Sequence, residues 1–245
     1  MQTEYPQKKP IEFILKQAFW YWNKTLLYQV IFSVLYILIL FFTALYFMNQ
    51  FGISDQYFAA YQKYITTKDF QAYQSEISKL SALPQFLHFF WILIGTIVFL
   101  YPLNLGLFKI FRKLDLGEKP EIADLFAGYS GINFFIYIGF YLFWFIIYLY
   151  TIPTIFLALI WVFITLFSAP LMFFMNKRIF ETISLSIRGL RIYFIEIIVC
   201  IFIAVLFKYI GIVTFFGMFF TFPFVNAMIY SLYKTIYVEN QQNPQ

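Results

Sequence analysis

The chain has 245 residues, 62% of them hydrophobic and only 12% charged, with a mean hydropathy of +0.75. A soluble domain carries about 25% charged residues, so this composition, with its long apolar runs, excludes an ordinary water-soluble fold and points to a bilayer. The net charge of +5 sits on residues that flank apolar runs, which reads as membrane topology and excludes a nucleic-acid partner.

The first predicted element is an interfacial helix over 10–25. Ile11, Ile14, Leu15, Ala18, Phe19 and Trp22 recur on one face, while Glu12 and Lys16, four residues apart, can pair elsewhere. The polar first ten residues do not match a cleaved secretory leader, and none is expected. An apolar span over 27–50 follows. Residues 52–85 then read as an insertion on the outer side. Tyr57, Phe58, Tyr61, Tyr64 and Ile65 fall at helical spacing after the N-cap signal Ser54-Asp55, and Phe70, Tyr73, Ile77 and Leu80 repeat the stripe. This predicts a small helical cap of two helices.

The second span, 86–108, carries Pro102. Beyond it, Ile122, Leu125, Phe126 and Tyr129 face away from Glu121 and Asp124, with Pro120 at a helix start and Gly128 and Gly131 at a break. Spans over 132–150 and 154–175 form a hairpin around Thr151-Ile152-Pro153, and the second of them holds Pro170. A third amphipathic stretch sets Phe180, Ile183, Ile187 and Leu190 against Glu181, Ser184, Arg188 and Arg191. Spans over 193–209 and 211–233 complete the chain, the last with Pro223.

The predicted fold is therefore all-α: one integral membrane domain over 1–245, a polytopic transmembrane helix bundle. Its six spans form three proline-bearing helix pairs, each preceded by an amphipathic interfacial segment. Thirteen of the 17 Lys and Arg residues fall on one side of these spans; Lys63, Lys68, Lys79 and Lys208 fall on the other. Basic loops stay in the cytoplasm, so both termini and the interfacial helices are expected on the cytoplasmic face of a bacterial inner membrane.

Pro102, Pro170 and Pro223 are expected to kink their helices, since each removes a backbone donor and frees a carbonyl. Asn104, Ser168 and Asn226 lie within three residues of them, placed to satisfy the freed groups, bridge helices or line a polar cavity. Lys177, Arg178, Arg188 and Arg191 form the cluster suited to anionic lipid headgroups. Asp115, Glu118, Glu121 and Asp124, interspersed with Lys113 and Lys119, read as a solvated face.

Reaction chemistry is not expected. His88 is the only histidine and Cys200 the only cysteine, which excludes a His-rich iron centre, a disulfide and a thiolate cluster within one chain. Catalytic, cofactor-binding and metal residues are therefore none. Within the spans only Glu196 and Lys208 are ionisable, both near ends, and Glu196 is expected to pair with Arg191 or Arg188.

The threefold repeat, the three prolines and the segment Gly117-Glu-Lys-Pro-Glu-Ile-Ala-Asp-Leu-Phe-Ala-Gly-Tyr129 resemble the YciC-like and glycerophosphodiester-phosphodiesterase membrane-domain families of bacterial proteins. The resemblance covers most of the chain outside 52–85. It implies six spans and no established reaction, the phosphodiesterase chemistry belonging to a separate soluble domain. No catalytic residue carries over. The expected function is a non-enzymatic multi-pass protein, a subunit or scaffold of a membrane complex acting by protein or lipid binding. Its partners would be the bilayer and another membrane protein, with no cofactor. The alternative is a transporter-class protein handling a lipid or apolar substrate between the bent helices. A third option is an enzyme acting on lipid headgroups.

Overall fold

A computed structural model describes residues 8–214 and 216–239. Every regular element among them is helical. In chain order these are α1 (Ile11–Lys24), α2 (Leu26–Gln50), α3 (Ile53–Thr67), α4 (Phe70–Ser81), α5 (Pro84–Leu100) and α6 (Pro102–Asp115). A 3₁₀ segment (Ile122–Tyr129) leads to α7 (Asn133–Thr151), α8 (Ile155–Thr165), α9 (Ser168–Met175), α10 (Ile179–Ile192) and α11 (Phe194–Val213). Then come α12 (Met218–Thr221), α13 (Phe224–Tyr233) and a closing π-helical segment, Lys234–Glu239.

Five helical stretches among the described residues are long and apolar enough to cross a bilayer: Leu26–Gln50, Pro84–Asp115, Asn133–Thr151, Ile155–Met175 and Phe194–Val213. The protein is thus a membrane helix protein in composition and element length. The stretch expected as a sixth span, 211–233, is divided. Residue 215 lies outside the described residues, α12 has four residues, and α13 begins after Phe222 and Pro223. A Cβ on Gly217 would strike Thr214 Oγ1, and α12 folds back against α11. This close turn is tight at Gly217, and it divides a run that hydropathy alone reads as continuous.

The chain groups into two compact units: one up to Val34 and from Tyr101 onward, the other Leu35–Leu100. The first unit is organised on α6, whose Leu103, Leu105, Leu107, Phe108, Ile110 and Phe111 are all buried. The buried face of α1, Ile14, Ala18 and Tyr21, packs on α13, where Ser231 Oγ donates to the Ile14 carbonyl at 2.8 Å. The 3₁₀ segment lies directly on α6. A Cβ on Gly106 would strike the Leu125 backbone, and one on Gly128 the Pro102 carbonyl, so a reciprocal pair of glycines permits this approach.

The second unit holds the α3–α4 hairpin between the end of α2 and α5. Ile53, Leu80 and Phe89 form its core, with Phe47, Met48, Phe51 and Phe86 packed around them. Lys63 pairs with Glu76 across the hairpin, and Asp69 caps α4 by accepting the Ala72 N–H at 2.9 Å.

Candidate functional site

The four basic residues singled out for headgroups lie on or just before α10. Lys177 and Arg178 precede the helix and are exposed, as are Arg188 and Arg191. The helix turns Thr182, Ser186 and Gly189, spaced i, i+4, i+7, into the protein. At Gly189 the absent side chain leaves room for the Tyr237 hydroxyl, which donates to the Leu185 carbonyl at 2.9 Å. Because this small-residue face is the buried one, the apolar stripe and the basic stripe both point outward and adjoin. Together they border an open concavity of about 590 Å³, lined by Phe180, Ile183, Ser184, Ile187, Arg188 and Arg191. Phe180 is 78% exposed at its rim. Among the described residues none forms an ion pair with Lys177, Arg178, Arg188 or Arg191, and the expected pairing of Glu196 is not formed. Apolar surface beside guanidinium groups is the combination that an anionic amphiphile requires.

Of the four acids read as a solvated face, Glu118 and Glu121 are exposed as expected, but Asp115 and Asp124 are enclosed, and for these two the reading is corrected. Asp124 is only 5% exposed and accepts from Lys109 at 2.9 Å and Lys113 at 2.8 Å. Its Oδ2 also takes the Glu121 backbone N–H at 2.8 Å. Burial pushes its carboxyl up, but the two ammonium groups and the backbone donor outweigh burial and hold it below the ordinary carboxylate value. The physical reason for the inversion is Gly106: the 3₁₀ backbone closes onto α6 and carries Asp124 to the two lysines on that helix.

Asp115 is likewise enclosed, at 10% exposure. Its Oδ1 accepts from Lys234 Nζ and from the Tyr21 hydroxyl, both at 2.6 Å, and its Oδ2 accepts from the Tyr230 hydroxyl at 2.7 Å. Burial first, and then the neighbouring Asp115 carboxylate, push the Tyr21 hydroxyl above its ordinary value, so it stays a donor. One carboxylate thus ties α1, α6, α13 and the π segment. Among the described residues no three His, Cys, Asp or Glu side chains gather as a metal site, so the four acids do not converge.

Each proline sits at a helix break. Pro102 takes the first position of α6 after Tyr101, Pro170 lies in the first turn of α9 after a break at Leu166 and Phe167, and Pro223 precedes α13. Asn226 Nδ2 donates to Asn104 Oδ1 at 2.9 Å, and Asn104 Nδ2 donates to the Tyr101 carbonyl at 2.9 Å. The pair bridges α13 and α6 next to two prolines. Ser168 is not brought to them; its Oγ is buried without a hydrogen-bond partner among the described residues.

Sequence reasoning missed Tyr21, Tyr230 and Lys234. It also missed a stack of rings from Tyr101 through Tyr141 and Trp144 to Tyr148, with centroids 4.0, 5.5 and 5.1 Å apart. The i, i+3, i+7 spacing of the last three was an available signal. The chain matches no protein-family model, no curated protein and no solved structure.

Proposed function

We propose that this chain is a multi-pass protein of a bacterial cytoplasmic membrane that acts without catalysis, holding anionic lipid and a membrane-protein partner as a subunit or scaffold. The observation that carries the reading is the outward face of α10. There Arg188 and Arg191 stand without a carboxylate partner among the described residues, beside Phe180, Ile183 and Ile187. A guanidinium fork matches a phosphate's oxygens, and each cation near an anionic leaflet contributes about 1 kcal/mol. Lys177 and Arg178 extend the basic patch, while the three apolar side chains suit the start of an acyl chain.

In this reading the chain crosses six times as three proline-bearing pairs, the divided stretch α12–α13 being the sixth crossing. The thirteen-to-four distribution of basic residues supports cytoplasmic termini and a cytoplasmic α10. The α3–α4 hairpin is then the outer cap. The resemblance to YciC-like proteins belongs to the same reading and rests on the segment Gly117–Tyr129 and the prolines. Transport between bent helices draws little support from Asn104 and Asn226, which bond to each other and, through Asn104, to the Tyr101 carbonyl.

The test is purification from native membranes in mild detergent, followed by native mass spectrometry. We expect retained anionic phospholipid and a stoichiometric protein partner, with lipid retention reduced in Arg188→Gln/Arg191→Gln at unchanged thermal stability. Unchanged retention in that variant removes α10 as the site. Repeated recovery as a lone, lipid-free chain overturns the reading as a whole.

A further inference from the structure

The α3–α4 hairpin carries an apolar surface that its own packing leaves largely exposed, although the Tyr57 hydroxyl reaches that of Tyr73 on α4. On α3, three strips run side by side. Ile53, Ala60 and Tyr64 face inward, the first two buried and Tyr64 in ring contact with Tyr73 of α4. Asp55, Gln56, Lys63 and Thr66 form a polar strip, with Lys63 paired to Glu76. Between them lie Tyr57, Phe58, Tyr61 and Ile65, all exposed, with Phe58 at 61%. Phe70, at the start of α4, is exposed too. A contiguous apolar strip of this kind on an otherwise polar helix marks a surface that something covers.

We propose that this strip is embedded in the headgroup boundary of the same bilayer that α2 and α5 cross, so that α3 is an interfacial helix. Chain continuity is the first argument. Only Phe51 and Gly52 separate α3 from the end of α2, and only Ala82 and Leu83 separate α4 from α5. Three Cα steps reach at most about 11 Å, so both feet of the hairpin are held at the membrane surface. Gly52, at φ +64°, turns the chain sharply there, where an L side chain would be strained.

Chemistry is the second argument. The strip holds no charged side chain, and its tyrosines join an apolar ring to a polar hydroxyl, the profile of residues at the headgroup level. It is one exposed face of a single helix. The hairpin's Lys63, Lys68 and Lys79 balance Asp55, Asp69 and Glu76, so no net charge steers it to a charged macromolecule. A neutral, aromatic, exposed strip tethered at a bilayer surface finds its apolar phase in that bilayer.

The test uses the full chain in lipid nanodiscs, with Cys200→Ser removing the one native thiol, which is buried. Single nitroxide labels are placed at Phe58→Cys and Tyr61→Cys on the strip, and at Gln56→Cys and Lys63→Cys on the polar side. Phe42→Cys, on the exposed apolar surface of α2, serves as the lipid-facing reference. Collision rates are measured with oxygen, which partitions into lipid, and with a water-soluble nickel chelate. Labels at 58 and 61 should fall between 42 and the polar-side pair, richer in oxygen collisions and several-fold poorer in nickel collisions than 56 and 63. Nickel access at 58 and 61 equal to that at 63 would place the strip in water and overturn the proposal. Shielding from both reagents would mean coverage by protein, a second copy or another chain, and would overturn it equally. All label positions are exposed, and the unfolding midpoint of the Cys200→Ser background is checked against the native chain first; labelling two strip positions guards against a local distortion at either.

Discussion

The Asp115 carboxylate and the Lys234 ammonium meet at 2.6 Å across 119 positions of sequence. Both are largely enclosed, and the carboxylate also takes the hydroxyls of Tyr21 and Tyr230. A buried charge is tolerated when its oxygens are satisfied, and here three donors share two oxygens. Lys234 opens the π-helical segment, so the pair lies at the point where the regular α-helical ladder of α13 ends.

Replacing Asp115 by Asn should destabilise the folded protein by about 3 kcal/mol, because Lys234 is left enclosed without its counter-charge. Lys234→Gln should cost less, since both tyrosine hydroxyls still hold the carboxylate. Unfolding in mixed micelles measures both variants and the double variant. If the two losses simply add, the residues are not coupled and the pair is not the tie described.

Gly106→Ala tests the seat of the 3₁₀ segment. The added methyl would strike the Leu125 carbonyl, which is backbone and cannot rotate away. Overpacking of this kind costs roughly 1–3 kcal/mol. The expected signature is a lower unfolding midpoint together with faster amide exchange over Ile122–Tyr129. Gly95→Ala, where a Cβ meets nothing, is the matched control: it should leave the exchange over Ile122–Tyr129 unchanged and should not lower the midpoint.

What the sequence disclosed follows the range of the forces involved. The prolines act on their own turn, so helix breaks beside 102, 170 and 223 were readable. The two outward stripes of α10 were readable as periodicity, but not its inward face. Thr182, Ser186 and Gly189 carry no hydrophobic signal and matter only because a tyrosine from residue 237 closes on them. Asp115 and Asp124 looked solvated because their neighbours Glu118 and Lys119 are polar. Their enclosure depends on partners brought by other elements and on the contact that Gly106 permits. The division of 211–233 into shorter helices was not readable, because hydropathy averages over the turn before α12 and the one at Phe222 and Pro223.

Asp124 should give the protein an acid-sensitive contribution of definite sign. Its folded value lies below the ordinary 3.8. A depressed carboxyl stabilises the fold above that ordinary value, and the contribution is lost as pH falls through the lower folded value. Unfolding midpoints of the native chain and Asp124→Asn should therefore differ at about pH 7 and converge as the pH drops below about 4. A gap that persists unchanged at the acid end would mean that the variant acts through packing and not through the ion pairs with Lys109 and Lys113.

Asn104 and Asn226 give the smallest expected effect. Their mutual hydrogen bond joins α6 and α13, and Asn104 also satisfies the Tyr101 carbonyl beside Pro102. Interhelical hydrogen bonds in membrane proteins couple by about 0.6 kcal/mol on average. In a double-mutant cycle of Asn104→Leu and Asn226→Leu, the coupling should be of that order. Asn104→Leu alone should cost more than Asn226→Leu, because it removes the donor to the Tyr101 carbonyl as well. Equal losses would show that this second bond contributes nothing, and that Asn104 serves only to bridge the two helices.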